Sequence, residues 1–243
     1  MKRLLCILSA AFVLQSVSAQ VKEGMIIYKR KVDVHRRMTD ESMKAMVPQF
    51  DTSKQQLVFS GNESIFKKLP EEEDIRDNAD DNGNRVIIRM GGPDNETYKD
   101  FAKEKITELR ELGPKKYIIE DTLKKQNWKM EDDTKTIMGY NCKKATTKNN
   151  DNRDVVAWYT EDILSPTGPE QYGGLPGAIL ELNVNDGEFV FSAIDIKTKD
   201  VDKKLVKAPT NGKKVTRKEF QKMLDDEFGP NPNGGPTIRI IRN

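Results

Sequence analysis

Short strand-like runs separated by turn-forming residues constrain this 243-residue chain more than any other feature. The clearest pair, Ala178 to Val184 and Glu188 to Lys197, flanks Asn185-Asp186-Gly187, and Asp-Gly between such runs is a strong hairpin signal. Gly24 to Val34 alternates roughly at period two, and Val155 to Tyr159 is apolar and aromatic. Closely spaced strands favour antiparallel pairing. We therefore expect a mainly β (α+β) fold, a single curled antiparallel sheet or half-barrel.

Two short helices are expected to pack on this sheet. Thr39 can cap a first helix, which Pro48 would end. Thr216-Arg217-Lys218-Glu219 reads as a capping box that opens a second helix, and Gly229 would stop it. Neither segment is long, so both helices would depend on the sheet for their stability.

The first nineteen residues predict a signal peptide. Lys2 and Arg3 precede the apolar run Leu4 to Leu14, and Val17 and Ala19 supply the small residues that cleavage requires. An apolar run this short is about 16 Å long as a helix, well under the thickness of the hydrocarbon core. We predict cleavage after Ala19, an exported protein, and no transmembrane segment in the mature chain.

Composition limits the classes of partner and of site. Loss of Lys2 and Arg3 lowers the 41 basic residues to the same number as the 39 acidic ones. A chain with no net charge is a poor candidate for nucleic acid binding, which favours a basic surface. Cleavage also removes Cys6 and leaves Cys142 as the one cysteine, so no internal disulfide can form. A single histidine excludes most histidine-rich metal sites.

The mature chain shows no repeat and no linker that would divide it. We expect one β-rich domain over residues 20–230 and a Gly/Pro/Asn-rich tail over residues 231–243. Within the domain, Pro70 to Asn84 is acidic and carries one large apolar residue, Ile75. Such a segment buries little apolar surface, so a mobile acidic loop is expected over residues 70–84.

Three sets of residues have both a chemical and a structural interpretation. Cys142 with His35 as base would suit a nucleophile, but no triad or oxyanion-hole motif accompanies them, so a buried, unreactive Cys142 is favoured. Met38, Met43 and Met46 would suit Cu(I), although helical spacing favours a core face. The acidic loop lacks the spacing of a calcium-binding EF-hand. We expect no catalytic residue, no metal and no cofactor.

Ordered blocks in the second half of the chain resemble a known family. Gly174-Leu175-Pro176-Gly177-Ala178-Ile179 is similar to the motif for which the GLPGLI family of exported bacterial proteins is named, with Ala178 where that motif has Leu. The resemblance is specific from Trp128 to Leu182. At the level of fold alone, the pattern of curled strands also resembles LolA-like lipoprotein carriers. Further matches to the family pattern are Trp128, Gly139-Tyr140, Cys142, Lys144-Ala145, Trp158-Tyr159 and Gly168-Pro169.

The resemblance implies a function in the cell envelope and no assigned reaction. GLPGLI proteins are often found beside outer-membrane, TonB-dependent transport components. We expect a non-catalytic protein that binds a lipid-like, apolar ligand or an outer-membrane transport component. The alternative is a purely structural accessory of a transport complex, and an enzyme ranks third. Periplasmic, outer-membrane-associated and secreted locations all stay open.

Candidate binding residues come from the glycine- and proline-rich segment and from the aromatic strand before it. The segment is either a turn into the next strand or a loop presented at the rim of a pocket. Trp158 and Tyr159 point to opposite faces of one strand, so one of them is expected in the core. The candidates are Trp158, Tyr159, Tyr172, Gly174, Leu175, Pro176 and Gly177.

Overall fold

The computed structural model describes residues 21–38, 41–69, 75–79, 85–89, 94–198 and 201–229. The predicted signal peptide, 1–19, and the predicted tail, 231–243, lie outside the described residues. Within them the fold is mainly β. Fourteen strands are present: β1 (Glu23–Asp33), β2 (Phe50–Ser60), β3 (Glu63–Lys68), β4 (Ile75–Ala79), β5 (Arg85–Arg89), β6 (Glu96–Asp100), β7 (Lys105–Leu112), β8 (Lys115–Thr122), β9 (Lys129–Ile137), β10 (Tyr140–Lys148), β11 (Asp154–Thr160), β12 (Ala178–Val184), β13 (Phe189–Lys197) and β14 (Lys213–Val215).

Twelve of these strands form one sheet, in the order β14-β8-β7-β6-β3-β2-β1-β13-β12-β11-β10-β9. The long strand β1 lies in the middle and joins the two halves through β2 and β13. The sheet is open, because β14 and β9 each have one neighbour among the described strands. The prediction of a wholly antiparallel sheet is wrong at one edge, where β14 pairs parallel to β8. The chain reaches β14 by a long crossing after β13, which allows the parallel direction.

The expectation of a loop over residues 70–84 is also wrong in part. Ile75–Ala79 forms β4, which pairs antiparallel with β5 in a separate two-stranded sheet. The expectation rested on side-chain composition, whereas pairing uses backbone groups, and the apolar β5 sequence RVIIR is a suitable partner. The rest of that range lies outside the described residues.

Apolar side chains are buried on both faces of the large sheet. Leu57 and Phe59 of β2 belong to the largest cluster, whereas Val58 between them belongs to a second cluster with Val206. This alternation is the expected consequence of the pleat. The large cluster, called here the main core, draws side chains from β1, β2, β3 and β10 to β13.

Two α-helices are described, α1 (Glu41–Met46) and α2 (Arg217–Phe228). As expected, α2 begins with a capping box, in which Thr216 and Glu219 exchange hydrogen bonds. Phe220 of α2 packs on Tyr117 and Ile119 of β8. The side chains of Met43 and Met46 lie outside the described part, so their predicted core face stays a prediction. In the ranges that the structure describes, no helix is long and apolar enough to cross a membrane.

Candidate functional site

Residues 165–177, called here the signature segment, lie over the main core between β11 and β12. Tyr172 and Leu175 are buried among its side chains, and Leu175 is only 1% exposed. Two backbone hydrogen bonds shape the segment: Gly174 donates to the carbonyl of Pro166 (2.7 Å) and Ile179 donates to that of Thr167 (2.9 Å). Tyr172 and Leu175 of the segment point inward and cover the sheet.

Glycine is required at the two glycine positions of the motif, 174 and 177, for different structural reasons. Gly174 has a φ of 81° and is exposed, so its requirement is conformational. Gly177 is buried and has no positive φ. A Cβ at Gly177 would stand 1.9 Å from the carbonyl oxygen of Thr160, so its requirement is close approach to β11. Pro176 is exposed between buried Leu175 and Gly177.

Lys99 is the residue that sequence reasoning missed. It lies on β6, is 0% exposed, and its Nζ donates hydrogen bonds to the carbonyls of Gly168 (2.7 Å) and Tyr172 (2.6 Å). The amine thus holds the signature segment onto the sheet from a strand about seventy residues earlier. The sequence around it, Tyr98-Lys99-Asp100, gives no periodic signal that would mark an inward-facing lysine.

Burial lowers the pKa of Lys99 to about 7, because the charged amine loses its hydration, and the carboxylate of Glu170 opposes that change. A lysine with a pKa near neutrality is often a functional residue. Here, however, the amine is fully enclosed and engaged with two backbone carbonyls. Its position suits a clamp on the segment better than a group that meets a substrate.

Side chains from the stretch before β9 complete this attachment. Trp128 Nε1 donates to the carbonyl of Gly173 (2.9 Å). Gln126 Nε2 donates to the carbonyl of Gln171, and the Gly173 backbone N–H donates to Gln126 Oε1, both at 3.3 Å. The segment is therefore held at both sides, by Lys99 and by residues 126–128.

At least one residue of the aromatic pair on β11 lies in the core, as predicted. Tyr159 is buried in the main core, and Trp158 is partly buried against it. The Nζ of Lys135 lies 4.4 Å from the centroid of the Trp158 ring and 2.7 Å from Glu181 Oε1. The structure thus brings Tyr159, Tyr172 and Leu175 together in the core, while Gly174 and Pro176 face solvent.

Cys142 and His35 do not form a nucleophile pair. Cys142 is 0% exposed in β10, and burial raises the pKa of its thiol to about 11. His35 Nε2 lies 2.7 Å from the carbonyl oxygen of Val47. No hydrogen bond joins these two described residues. Likewise, the described His, Cys, Asp and Glu side chains form no group of three or more that could hold a metal ion.

Elsewhere, ion pairs and two open grooves mark the other half of the sheet. Glu108 is buried and pairs with Arg110 and with Arg217 of α2. A groove of about 590 Å³ lies beside the start of α2. A second groove, of about 330 Å³, lies between β3, β6, β7 and β8 on one side and residues 205–211 on the other.

Comparison with known proteins places the chain next to one group of proteins. The family model described as N-glycanase peptide, N-terminal domain, matches residues 88–221, more than half of the chain. Two structures of PNGF-II, in space groups P21 and C2, share 16% identity with this chain over 83% of its length, with TM-scores of 0.55 and 0.56. This chain spans about a third of PNGF-II, 33% and 32% respectively. No curated protein matches it in sequence. At 16% identity, the likeness to PNGF-II shows the fold alone.

Proposed function

The chain belongs to the N-glycanase peptide, N-terminal domain family. We propose that it is a non-catalytic binding module of the cell envelope. The signature segment serves the interior of this module, and binding uses its outer surfaces. Export through the predicted signal peptide, to the periplasm, the outer membrane or the medium, belongs to the same proposal.

The observation that carries the proposal is the enclosure of Lys99. A lysine with a pKa of about 7 is able to exchange a proton at neutral pH. Both of its hydrogen bonds go to backbone carbonyls, and none of its surface is exposed. A substrate atom cannot reach it unless the signature segment leaves the sheet. This supports a structural role for Lys99.

Filling of the main core favours a surface ligand or a partner over a large enclosed apolar ligand. The face that a curled sheet would offer to such a ligand is occupied by Tyr172, Leu175 and Ile163 of the chain itself. Curling into a half-barrel is part of the proposal, since twist accumulates over twelve strands. The partner that the GLPGLI resemblance implies is an outer-membrane component of TonB-dependent transport. A purely structural accessory role is the alternative.

A second candidate function follows from the family match. The match with this chain covers about a third of PNGF-II, so an N-glycanase relationship would concern one part of a larger enzyme. In this alternative the module assists release of N-glycans that another protein or domain performs. The observation that favours it is the match of the family model over residues 88–221.

Native mass spectrometry of the protein purified from its own envelope tests the binding proposal. A retained partner or small ligand is expected, and a bare chain under gentle conditions would contradict the proposal. A parallel assay follows release of N-glycans from a denatured high-mannose glycoprotein. We expect no release by the purified chain. Release that a Lys99→Met variant loses, while it stays folded, would show that the module is itself an enzyme.

A further inference from the structure

Strand β9 forms the long open edge of the large sheet. In the part of the chain that the structure describes, β10 is its one neighbour, whereas the opposite edge is formed by the three-residue strand β14. None of the nine residues of β9 is buried. An exposed edge carries a row of backbone N–H and C=O groups with which another strand can pair. The edge at β9 is therefore long enough and exposed enough to accept a further strand.

The turn from β9 to β10 determines which residues of β9 direct their backbone groups outward. Residues 138–139 have φ values of 51° and 84°, as in a two-residue type I′ turn. The turn is closed by a hydrogen-bonded pair, Ile137 and Tyr140. Hydrogen-bonded and non-hydrogen-bonded pairs alternate along an antiparallel strand. The backbone N–H and C=O groups of Thr136 and Thr134 therefore point away from β10, toward the open edge.

The charges along β9 favour a second copy of the same strand as its partner. In an antiparallel pair centred on Thr134, Asp133 of each copy lies opposite Lys135 of the other, so opposite charges meet twice. Moving the centre by one residue sets Asp133 against Asp133, or Lys135 against Lys135. Like charges directly opposite each other destabilise a sheet. Since Thr134 also directs its backbone groups outward, the hydrogen-bonding pattern permits the register that the charges select.

Exposed apolar side chains lie at both ends of the stretch that would pair. Met130 and Met138 are each 51% exposed. In the register centred on Thr134, Met130 of one copy comes opposite Met138 of the other, and this happens at each end. Such contacts remove apolar thioether side chains from water. Because β9 pairs irregularly with β10 between Met130 and Thr134, the regular stretch is short, and small interfaces of this kind are weak.

We propose that two copies of this chain associate through β9, paired antiparallel with the two-fold axis at Thr134. The pairing joins two twelve-stranded sheets into one, and each copy contributes the same surface, as a two-fold axis requires. Within each copy Asp133 lies 2.9 Å from Lys144 and Lys135 lies 2.7 Å from Glu181. The cross-strand pairs therefore continue an existing row of alternating charges. This inference goes beyond the proposed binding function and does not depend on it.

Sedimentation of the purified chain at low salt, over about 1 to 500 μM, tests the proposal. The average mass should rise from monomer to dimer with concentration. Thr134→Pro removes the central N–H donor of the pairing but no hydrogen bond to β10, so it should abolish the dimer. A chain that stays monomeric, or a dimer that Thr134→Pro leaves intact, overturns the proposal. A monomer whose Thr134 and Thr136 amides resist hydrogen exchange also overturns it, because another part of the chain then covers the edge.

Charge reversal gives a second test that a folding defect cannot imitate. Asp133→Lys alone and Lys135→Asp alone each set like charges opposite each other at both symmetric positions. Either variant should therefore dimerise at least about tenfold more weakly than the native chain. In an equal mixture the two variants should form a heterodimer at least about tenfold tighter than either homodimer, because opposite charges again face each other.

Asp154→Lys and Lys105→Asp are the matched controls. They make the same changes of charge and also lose surface ion pairs, with Lys148 at 2.7 Å and with Glu120 at 2.9 Å. They lie on β11 and β7, away from the open edge, so neither should change the dimer affinity. Equal weakening by the controls, or no recovery in the mixture of the two β9 variants, refutes pairing through β9.

Discussion

Lys99 links the chemistry of one residue to the stability of the whole chain. Its amine is enclosed, and this burial lowers its pKa in the folded state to about 7. In the unfolded chain the amine keeps its proton up to a pH near 10.4. Between pH 7 and pH 10 the unfolded state therefore binds more protons than the folded state. By linkage, stability from this residue rises with pH through that window and is lost as the pH falls toward 7.

The first prediction compares Lys99→Met with the native chain in urea at pH 6.5, 8 and 9.5. Methionine keeps the length of the side chain but leaves two buried carbonyls without donors, at about 1–3 kcal/mol each. Above pH 7, the free energy of unfolding of the native chain should rise relative to that of the variant by up to about 1.4 kcal/mol per pH unit. Groups common to both chains cancel in the difference. A gap that is constant or that narrows with rising pH would show that the amine stays charged when folded.

The second prediction separates the two motif glycines. Gly174→Ala meets open space but a left-handed backbone, so it should cost roughly 1–2 kcal/mol. Gly177→Ala places a methyl group against the Thr160 carbonyl, and backbone atoms would have to shift to make room for it. The free energy of unfolding should therefore fall by about 3 kcal/mol. Urea midpoints of the two variants give the order directly. The reverse order would mean that backbone conformation, not close approach, fixes Gly177.

Cys142 provides the third prediction, at the same scale. The thiol is fully buried and its pKa is raised to about 11, so little thiolate exists at pH 8. Labelling of the native protein by a thiol reagent should be much slower than labelling in urea. Native labelling at the unfolded rate would place Cys142 at the surface and revive its interpretation as a nucleophile.

At the scale of elements, α2 is attached to the sheet by a small set of contacts. It follows a three-residue edge strand and reaches the sheet mainly through Phe220, whose ring centroid lies 5.6 Å from that of Tyr117. Arg217, at the start of the helix, adds ion pairs with Glu108 and with Asp121 (3.1 Å), and the pair with Arg217 lowers the pKa of Asp121. Elements with few contacts open locally, below the cost of global unfolding.

The fourth prediction follows from that attachment. Phe220→Ala should remove the main apolar contact and speed hydrogen exchange of the α2 amides, while exchange in β1 and β13 stays unchanged. Met223→Ala, at a partly buried position on the same helix, is the matched control and should have a smaller effect. Equal acceleration in α2 and in β1 would show that the helix and the sheet unfold as one unit.

Sequence patterns predicted the elements whose signals are local. The hairpin of β12 and β13 follows from Asp186-Gly187, and α2 follows from its capping box. The strand β4 was missed because its own side chains are polar and its pairing depends on β5. The parallel edge at β14 was missed because a three-residue strand carries almost no periodicity. Partners distant in sequence decide such elements.

The candidate site, like the fold, could be predicted from the sequence only where its signals are local. Glycine and proline in the signature segment predicted a turn before β12, and the family resemblance marked the residues involved. Lys99, Gln126 and Trp128, which hold that turn, are separated from it by about 40 to 75 residues. A hydrogen bond between a side chain and the backbone of a residue distant in sequence leaves no pattern in one sequence. Only the folded arrangement identifies the clamp.

On the scale of the whole molecule, the main core unites both halves of the sheet. Tyr28 on β1 donates a hydrogen bond to the carbonyl of Ile179, and it lies in the same cluster as Phe66, Phe191 and Leu175. A residue of the signature segment is therefore part of the core that β1, β3 and β13 share. This arrangement supports the proposal that the segment is a folding element and that binding uses other surfaces.

The urea midpoint of Leu175→Ala shows whether the signature segment is a folding element. A buried leucine in a well-packed core costs roughly 2–5 kcal/mol when truncated, so the midpoint should fall sharply in one cooperative transition. Material retained by the native protein should stay bound to the variant in buffer without urea. An unchanged midpoint combined with loss of the retained material would contradict this proposal and make the signature segment a recognition loop.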